Sequence, residues 1–393
     1  MDTYIENKVL IREFNEDRDV EAIEKLERSC EVGYRKGISI STNMMGDPLC
    51  RIRLYQTHVM LIAELVENRE LVGVVRGCMK HVGTGKTHMN MGCILGLRVS
   101  PKHRRMGIGL KLVESMESWA IKNGAEYIYL AIEANNVAST NLFVLKCNYI
   151  KLSSLVILIQ PISFPIRHPP QEVRIEKLNP YQAISLYKSR FGGESLCPAD
   201  IDVILKEKLS LGTWVSFFGE EEWIGLHGKD GNHDDEFIHK TPSSWAMVSV
   251  WSTCATYKLQ IRRAYPCKCF HTLSHARAKV FPCLKMQTRD LLEKPFGFLF
   301  LYGIHGEGQK VGELMKSLWR FTCNLAGNVE DCKAIITELG VSDPLKGHVP
   351  QGTMSCIDDI WYLKRVRGSS SDEDDRWTKM PHEEHLFVDP RDF

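Results

Sequence analysis

A short basic loop followed by two closely spaced glycines joins a predicted strand to a predicted helix in the first half of the chain. The strand run LRVSP (97–101) ends at a proline, and RRMGIG (104–109) leads directly into the amphipathic run IGLKLVESMESWAIK. The unpaired N–H groups and the positive end of a helix that begins here point into one small volume, from which glycine keeps side chains away. Arg104 and Arg105 add positive charge at its rim. The segment therefore predicts a site for a pyrophosphate or a similar anion.

Two other classes of nucleotide-binding loop also combine spaced glycines with a helix. A P-loop needs Gly-Lys-Ser/Thr, and a dinucleotide-binding loop needs Gly-x-Gly-x-x-Gly. The loop at 104–109 has neither pattern. Its sequence therefore disfavours both alternatives.

The apolar periodicity around this loop predicts alternating strands and helices. Amphipathic patterns predict helices over 16–30, 108–124 and 138–147, and the run HVGTGKTHMNMG (81–92) is interpreted as a loop. The runs at 59–66 and 70–80 are interpreted as an antiparallel hairpin with a polar turn. The predicted strands are 9–14, 59–66, 70–80, 93–101, 127–133 and 152–162.

The second half of the chain repeats the order of the first. Three prolines between 163 and 172 mark a boundary, after which FGFLFLYGIHGEG (296–308) leads into a predicted helix, a strand ending in glutamate and a further strand. We therefore predict two α/β domains, residues 1–163 and 171–366, followed by an acidic, Ser-rich linker and tail over 367–393. The closing run LFVDPRDF either docks onto the fold or stays free.

Composition and charge exclude several classes of protein. Hydrophobic residues make up 44% and charged residues 25%, which is typical of a folded globular protein, and the net charge of +1 gives no global attraction to nucleic acid or membranes. No apolar run approaches the length of a membrane span, and the amino terminus lacks a signal-peptide core, so we expect neither secretion nor a membrane partner. Thirteen cysteines without a secretory signal predict reduced thiols in the cytosol or nucleus.

On these motifs the first half resembles the GNAT acetyltransferase superfamily. RRMGIG after LRVSP matches the Arg/Gln-x-x-Gly-x-Gly/Ala signature, and YIYLAIEANNVASTNLFVLKCNY is similar to the family's fifth strand and the Asn-x-x-Ala/Ser helix that follows it. Over residues 28–393 the chain is also similar to the plant HOOKLESS-like group of N-acetyltransferases, on the runs RSCEVG, GDPLCRIR, KLSLGTW, YGIHGEG and FVDPRDF.

The resemblance implies a fold and an activity. The implied fold class is α/β (α+β), a GNAT fold with a mixed, mostly antiparallel sheet flanked by helices, followed by a second, degenerate GNAT-like domain. The implied activity is transfer of an acetyl group from acetyl-CoA to an amine, with a protein lysine or an amino-terminal amine favoured as acceptor. The implied setting is regulatory and nuclear, with a cytoplasmic pool left open.

The resemblance also implies which residues bind acetyl-CoA. Main-chain groups of 97–99 would bond the pantetheine arm, the amides of 104–109 would hold the pyrophosphate, and Asn135 or Asn136 would contact the far end of the arm. Phe143 lies on the helix that flanks the arm. The implied set is Leu97, Arg98, Val99, Arg104, Arg105, Met106, Gly107, Ile108, Gly109, Asn135, Asn136 and Phe143.

The residues that usually catalyse transfer in this family are missing here. Many members carry a Glu or Asp base on the fourth strand where this chain has Gly96, and a Tyr acid where it has Phe143. Glu133 and Glu64 remain as candidate bases, and Tyr149 as a displaced acid. Because the usual groups are absent, a noncatalytic acetyl-CoA-binding regulator stays open beside the enzyme.

A basic segment at 262–279 carries two further patterns. Cys267, Cys269, His271 and His275 offer four zinc ligands, but the cysteine pair is tighter than usual, and we expect no metal. Basic and aromatic residues together are a composition that can bind nucleic acid. We interpret the segment as a solvated loop, which leaves contact with chromatin open and disfavours direct binding of nucleic acid.

The second half has Gly306, Glu307 and Gly308 where the first half has its glycine loop. A glutamate inside such a loop repels phosphate. We therefore predict one acetyl-CoA per chain, with the second half forming a wall of the acceptor cleft.

Overall fold

In a computed structural model, the strands of both halves join into one mixed sheet of thirteen strands. The structure describes residues 8–30, 38–84, 87–162, 170–191, 196–226, 238–263, 294–350, 354–367 and 387–393. The strands are β1 (Val9–Glu13), β2 (Ile38–Asn43), β3 (His58–Leu65), β4 (Leu71–Thr84), β5 (Thr87–Val99), β6 (Tyr127–Glu133), β7 (Ile150–Pro161), β8 (Val173–Leu178), β9 (Cys197–Pro198), β10 (Ser210–Phe218), β11 (Trp245–Ser252), β12 (Lys258–Arg263), β13 (Gly297–Glu307), β14 (Cys332–Gly340) and β15 (Met354–Arg365). The α-helices are α1 (Glu16–Cys30), α2 (Ile108–Lys122), α3 (Val137–Thr140), α4 (Pro180–Phe191), α5 (Ile201–Lys206) and α6 (Val311–Gly327), and α3 continues as a π-helix over Asn141–Lys146.

The order of strands across the sheet shows that the two halves are built alike. From one edge inward the order is β1, β3, β4, β5, β6, and from the other edge inward it is β8, β10, β11, β13, β14. Among the described strands, the only parallel neighbours are β5 with β6 and β13 with β14, one pair in each half. The predicted mixed, mostly antiparallel sheet and the predicted repeat of the fold are both confirmed. β2 and β12 form a separate antiparallel pair.

The two halves exchange their last strands at the centre of the sheet. β15, from the second half, pairs with β6 of the first half, with Asp359 opposite Glu133. β7, from the first half, pairs with β14 of the second half and with β15. Each half therefore completes its sheet with a strand of the other. The limits set at 163, 171 and 366 remain predictions.

Helices cover the two faces of the sheet in a repeated arrangement. α2 packs on one face of the first half, where Leu112 and Met116 join Ile128 in an apolar core. α6 packs in the same way on the same face of the second half, where Leu314 and Leu318 join the core. The opposite face carries α1 in the first half, and α4 and α5 in the second. Strands between these helices are therefore buried on both faces, as consecutive buried residues in β3, β11 and β14 show.

The prediction of a loop over 81–92 is wrong. β4 and β5 pair as one long antiparallel hairpin, which extends from Gly73 opposite Val99 as far as Thr84 opposite Thr87. The segment alternates polar residues with buried Met89 and other apolar side chains, which is the period of a strand. Its glycines and its polar composition concealed that period in the sequence.

The C-terminal segment Phe387–Phe393 packs into the centre of the molecule, on the face opposite α2 and α6. Phe387 is 2% exposed and packs edge-to-face against Tyr187 of α4. Phe393 stacks on Phe300 of β13, with the ring centroids 4.5 Å apart. Of the two alternatives left open for this run, the structure shows docking.

A buried ion network ties the C-terminal segment to both halves. Asp389 bonds Lys80 of β4 at 3.3 Å and Arg391 at 2.7 Å, and all three side chains are buried. Arg391 also bonds Asp200, which precedes α5, at 2.7 Å. Burial acts to raise the pKa of Asp389, but the charges of Lys80 and Arg391 more than offset it and hold that pKa well below its ordinary value.

Replacing Asp389 by Asn should lower the free energy of unfolding by about 3–5 kcal/mol at pH 7, because Lys80 and Arg391 stay buried with less compensating charge. The folded pKa of Asp389 lies below the unfolded value of about 3.9. The contribution of Asp389 to the free energy of unfolding is therefore fully present above the unfolded pKa and is lost as the pH falls through the folded pKa. Urea unfolding at pH 7 and at pH 3 measures the variant against the wild type.

The matched control is Asp202→Asn, which removes an exposed helix pair with Lys206. We expect it to change the free energy of unfolding by at most about 0.5 kcal/mol. Equal unfolding midpoints for the wild type and Asp389→Asn at pH 7 would contradict the stabilising role of the buried network.

Candidate functional site

Two neighbouring parallel strands part in the first half and leave a wedge-shaped opening in the sheet. β5 and β6 pair over only three residues, the last pair being Cys93 and Tyr129. Beyond this pair β5 continues beside β4, and β6 continues beside β15. We call the opening between residues 94–99 of β5 and 130–133 of β6 the splay. Among the described residues its facing edges have no strand partner, so an extended ligand can pair with them.

A β-bulge in β5 lies along the splay. The register of β5 on β4 shifts between Leu95, opposite Arg76, and Arg98, opposite Val74. Gly96 lies in this bulge with a φ of 59°, a conformation that favours glycine. The extra residue bends β5, which is how a bulge redirects a strand. The backbone conformation itself therefore favours glycine at position 96.

Two main-chain carbonyls of β5 face the splay. Arg98 pairs with Val74 in the ladder with β4, so the main-chain groups of its neighbours Leu97 and Val99 point the other way. The carbonyl of Leu97 accepts from Arg98 Nη1 at 3.1 Å, and that of Val99 accepts from Arg104 Nε at 3.3 Å. Side chains, and not a neighbouring strand, donate the hydrogen bonds that these two carbonyls accept. Three residues were predicted to bond pantetheine through their main chain. Leu97 and Val99 present their main-chain groups to the splay, whereas the main-chain groups of Arg98 face β4.

The glycine loop forms a concave cradle at the start of α2. Arg105 has a φ of 66° and Gly107 a φ of 77°, and α2 begins at Ile108. A Cβ on Gly107 would meet nothing within 4 Å, so the space before the helix is open. The first turn of α2 contains no acidic residue, and Arg104, Arg105 and Met106 are exposed around it. The first N–H groups of α2 lack helical partners and face this space, which suits an anion.

The residues after β6 have structural contacts of their own. Asn136 caps α3, because its side chain accepts a hydrogen bond from Ser139 N at 3.1 Å, and Asn135 is exposed. Phe143 is 3% exposed and packs edge-to-face on Tyr149 within the core below α2. Their predicted contacts with the cofactor remain predictions.

The structure does not bring the three predicted catalytic residues together. Glu133 lies at the end of β6 on the splay, and its Oε2 is buried without a hydrogen-bond partner among the described residues. Glu64 lies on β3, two strands from β5, and binds Arg12 at 2.6 Å. Tyr149 is buried in the core under α2, and this burial raises the pKa of its hydroxyl. Only Glu133 therefore has a position on the splay.

Sequence reasoning missed Arg76, whose side chain lies beside the bulge. Arg76 is 1% exposed, and its Nε and Nη2 donate to Pro48 O and Glu27 Oε1, each at 2.7 Å. Its Nη1 has no hydrogen-bond partner among the described residues, and it would lie 3.0 Å from a Cβ on Gly96. A lone arginine within the apolar run ELVGVVRGCMK was the signal in the sequence that could have found it.

The C-terminal segment reaches the closed end of the splay. Tyr129, at the last β5–β6 pair, donates its hydroxyl to Asp392 Oδ2 at 2.5 Å. Asp392 also accepts from Tyr55 at 2.5 Å and from Lys80. A small cavity here is lined by Lys80, Met91, Tyr129, Trp361, Asp389 and Asp392. The contact of Asp392 with a strand more than 260 residues earlier left no local signal in the sequence.

The corresponding loop of the second half is closed by its own chain. A Cβ on Gly308 would lie 2.2 Å from Ser243 O, so the space that is open at Gly107 is filled here. Glu307 accepts from Trp245 Nε1 at 3.1 Å and pairs with Arg190 at 3.3 Å. The second half therefore has no cradle for a pyrophosphate at this loop.

Two groups of side chains are candidate metal ligands. The four predicted zinc ligands at 267–275 lie outside the described residues. Within the described part, Cys78, Cys93 and Asp392 place their ligand atoms within 4.8 Å of one another, but Asp392 already accepts from Lys80 and two tyrosines. The expectation of no metal remains a prediction.

No helix in the described part of the chain has the length and apolar character needed to span a membrane.

Comparison with known proteins agrees with this geometry. The model of the Acetyltransferase (GNAT) family matches residues 23–149. Over 98% of its length the chain is 37% identical to "Probable N-acetyltransferase HLS1" of Arabidopsis thaliana, of which it covers 100%. It is 30% identical, again over 98% of its length, to "Acetyl transferase GW6a" of Oryza sativa subsp. japonica, of which it covers 97%.

A solved structure shares the fold of both halves. Saccharomyces cerevisiae N-myristoyltransferase with bound myristoyl-CoA matches 92% of this chain and 80% of its own, with a TM-score of 0.54 at 12% identity. The family model and the sequence relatives identify the chain as a member of the GNAT acetyltransferase family, an acyltransferase related over nearly its whole length to HLS1 and GW6a.

Proposed function

We propose that this protein transfers the acetyl group of acetyl-CoA to a primary amine of a protein, either a lysine side chain or an amino-terminal amine. The observation that carries the proposal is one continuous site. The open cradle before α2 leads to the carbonyls of Leu97 and Val99, and these lead to the bulge at Gly96. A pyrophosphate, a pantetheine arm and a thioester follow one another in the same order along acetyl-CoA.

In this proposal, each part of acetyl-CoA meets a group suited to it. The N–H groups at the start of α2 bind the pyrophosphate, and Arg104 and Arg105 supply positive charge. The pantetheine amides donate to the carbonyls of Leu97 and Val99 in place of the side chains of Arg98 and Arg104. The acetyl group then lies between these carbonyls and the closed end of the splay, beside Gly96.

The transfer itself requires a neutral amine next to an oriented thioester. The amine nitrogen forms a bond to the carbonyl carbon, the carbon–sulfur bond breaks, and coenzyme A leaves as a thiolate that takes up a proton. Holding both reactants in the splay supplies acceleration through proximity alone. Glu133, whose Oε2 is buried and unpaired among the described residues, is the predicted carboxylate best placed to accept the proton lost by nitrogen.

We further propose that the protein acts in the nucleus and meets its acceptor among chromatin proteins, in line with the similarity to the HOOKLESS-like group. Expression of a fluorescent fusion in plant cells tests the location. Nuclear fluorescence is the expected result, and exclusion from the nucleus would contradict the proposal.

Gly107→Asp should weaken acetyl-CoA binding by roughly 10–100-fold relative to Gly107→Asn, because only the aspartate places a negative charge beside the pyrophosphate. Asn and Asp have nearly the same size, and both tolerate the positive φ of this position. Titration calorimetry measures the dissociation constant of each variant. The same dissociation constant for both would place the pyrophosphate elsewhere.

The same titration tests the number of sites. We expect one acetyl-CoA per chain in the wild type, since the loop around Gly308 is filled by Ser243. A second site that survives in Gly107→Asp would contradict this expectation.

Acetyl transfer is tested by thiol release from acetyl-CoA with a panel of amines, histone peptides and amino-terminal peptides. Release that depends on a peptide amine, with acetylated peptide found by mass spectrometry, is the expected result. Gly96 and Phe143, which by the resemblance stand where many members of the family carry a base and an acid, favour a second candidate function, a noncatalytic acetyl-CoA sensor. Tight binding without release for any amine would support that candidate.

A further inference from the structure

We propose that Arg76 binds the carbonyl oxygen of the acetyl group in the splay and stabilises the negative charge that develops on this oxygen during transfer. The inference rests on the proposed acetyl transfer and adds an assigned residue to it. Arg76 would contact the reacting atoms directly through its Nη1.

The guanidinium of Arg76 is held rigidly, with one nitrogen left over. Its Nε donates to Pro48 O and its Nη2 to Glu27 on α1, so the plane and the direction of the group are fixed. Nη1 carries two N–H donors, yet it has no hydrogen-bond partner among the described residues although Arg76 is only 1% exposed. A buried donor without a partner is costly, and such groups in native proteins are rare enough to need a structural or functional explanation.

The unpaired nitrogen points at the bulge of β5. A Cβ on Gly96 would lie 3.0 Å from Nη1, which leaves the two groups in contact only because residue 96 is glycine. The same position has a φ of 59°. The positive φ and the close approach of Arg76 Nη1 therefore both favour glycine at position 96.

The level of Gly96 is where the thioester falls in the proposed complex. The pantetheine arm occupies the carbonyls of Leu97 and Val99, and the splay closes at Cys93. Between these limits, residues 94–96 of β5 remain to contact the acetyl group. Its carbonyl oxygen is a hydrogen-bond acceptor of the kind that Nη1 lacks.

A buried cation at this point assists the reaction in two ways. When the amine nitrogen bonds the carbonyl carbon, negative charge develops on the oxygen, and a preorganised guanidinium stabilises it. The same charge lowers the pKa of a nearby ammonium, which raises the fraction of neutral amine. The proton lost by the amine then passes to Glu133, the carbon–sulfur bond breaks, and the thiolate takes a proton from solvent, so a base at position 96 is not needed.

Among the described residues, the charged and titratable groups that act most strongly on Arg76 come from two segments. Glu27 faces it from α1, and Cys50 and Arg51 face it from the segment before β3. Burial raises the pKa of Cys50 to about 11, so this thiol stays neutral over the range of an assay. A change in the pH dependence between pH 6 and 9 on removing Arg76 would therefore report on the acceptor amine.

The first test needs no turnover. The carbonyl stretch of acetyl-CoA labelled with ¹³C at the carbonyl carbon is measured by infrared difference spectroscopy in complexes of the wild type, Arg76→Lys and Arg76→Gln. We expect a shift to lower frequency in the wild type, a smaller shift in Arg76→Lys and none in Arg76→Gln. An unshifted carbonyl in the wild type would overturn the inference whether or not the protein transfers acetyl groups.

The second test uses steady-state kinetics with the best acceptor from the panel. Arg76→Gln should lower kcat by about 10²–10³-fold, while the dissociation constant of acetyl-CoA changes less than about threefold. The rising limb of the pH profile should move to higher pH in Arg76→Gln and stay near its wild-type position in Arg76→Lys. A loss confined to the KM of the acceptor, with kcat unchanged, would overturn the assigned role.

Controls separate catalysis from folding. Arg12→Gln also removes a paired arginine of the first half, one that binds Asp19 and Glu64 away from the splay, and it should leave kcat near the wild-type value. If Arg76→Gln does not fold, Gly96→Ala carries the test, since its methyl group would displace Nη1. Gly96→Ala with normal kcat and a normal carbonyl shift would contradict the inference. Absence of thiol release with a clear carbonyl shift would count against the transferase proposal only.

Discussion

The pairing of β15 with β6 and of β7 with β14 is the constraint on which the rest of the structure depends. Each half presents the inner edge of its parallel pair to the centre, and the last strand of the other half satisfies the main-chain hydrogen bonds there. Because β15 holds β6 on one side, β6 keeps its course while the bulge bends β5 away. The splay therefore exists because the second half of the chain stabilises a strand of the first.

The same fold carries two glycine loops, and physical differences at single residues make them unequal. At Gly107 the space beside the backbone is open, and the first turn of α2 contains no acidic residue. At Gly308 the main chain of Ser243 closes the space, and Glu307 is bound by Trp245 and Arg190. Duplication of an architecture has thus left one loop with the electrostatics of an anion site and the other with those of a structural contact.

Local patterns predicted much of this molecule. The glycine loop, the helix after it and the repeated order of elements depend on residues that are close in sequence, and all were found from periodicity and motif. The strand pairing at 81–92 was missed because glycines and polar residues hide its alternating methionines. Arg76 and Asp392 were missed for a different reason. Their roles come from contacts with residues far along the chain, such as Glu27 and Tyr129, which periodicity does not report.

The exchange of strands also has a consequence for how the protein is made. During synthesis, β6 emerges from the ribosome long before β15, its eventual neighbour. At roughly 5–20 residues per second, the interval is on the order of ten seconds or more. During this interval, β6 lacks β15 and the apolar β7 lacks β14 and β15 as strand partners. Exposed strand edges can pair with other chains. A cell that makes this protein therefore has reason to shield the first half with chaperones until the second has been translated.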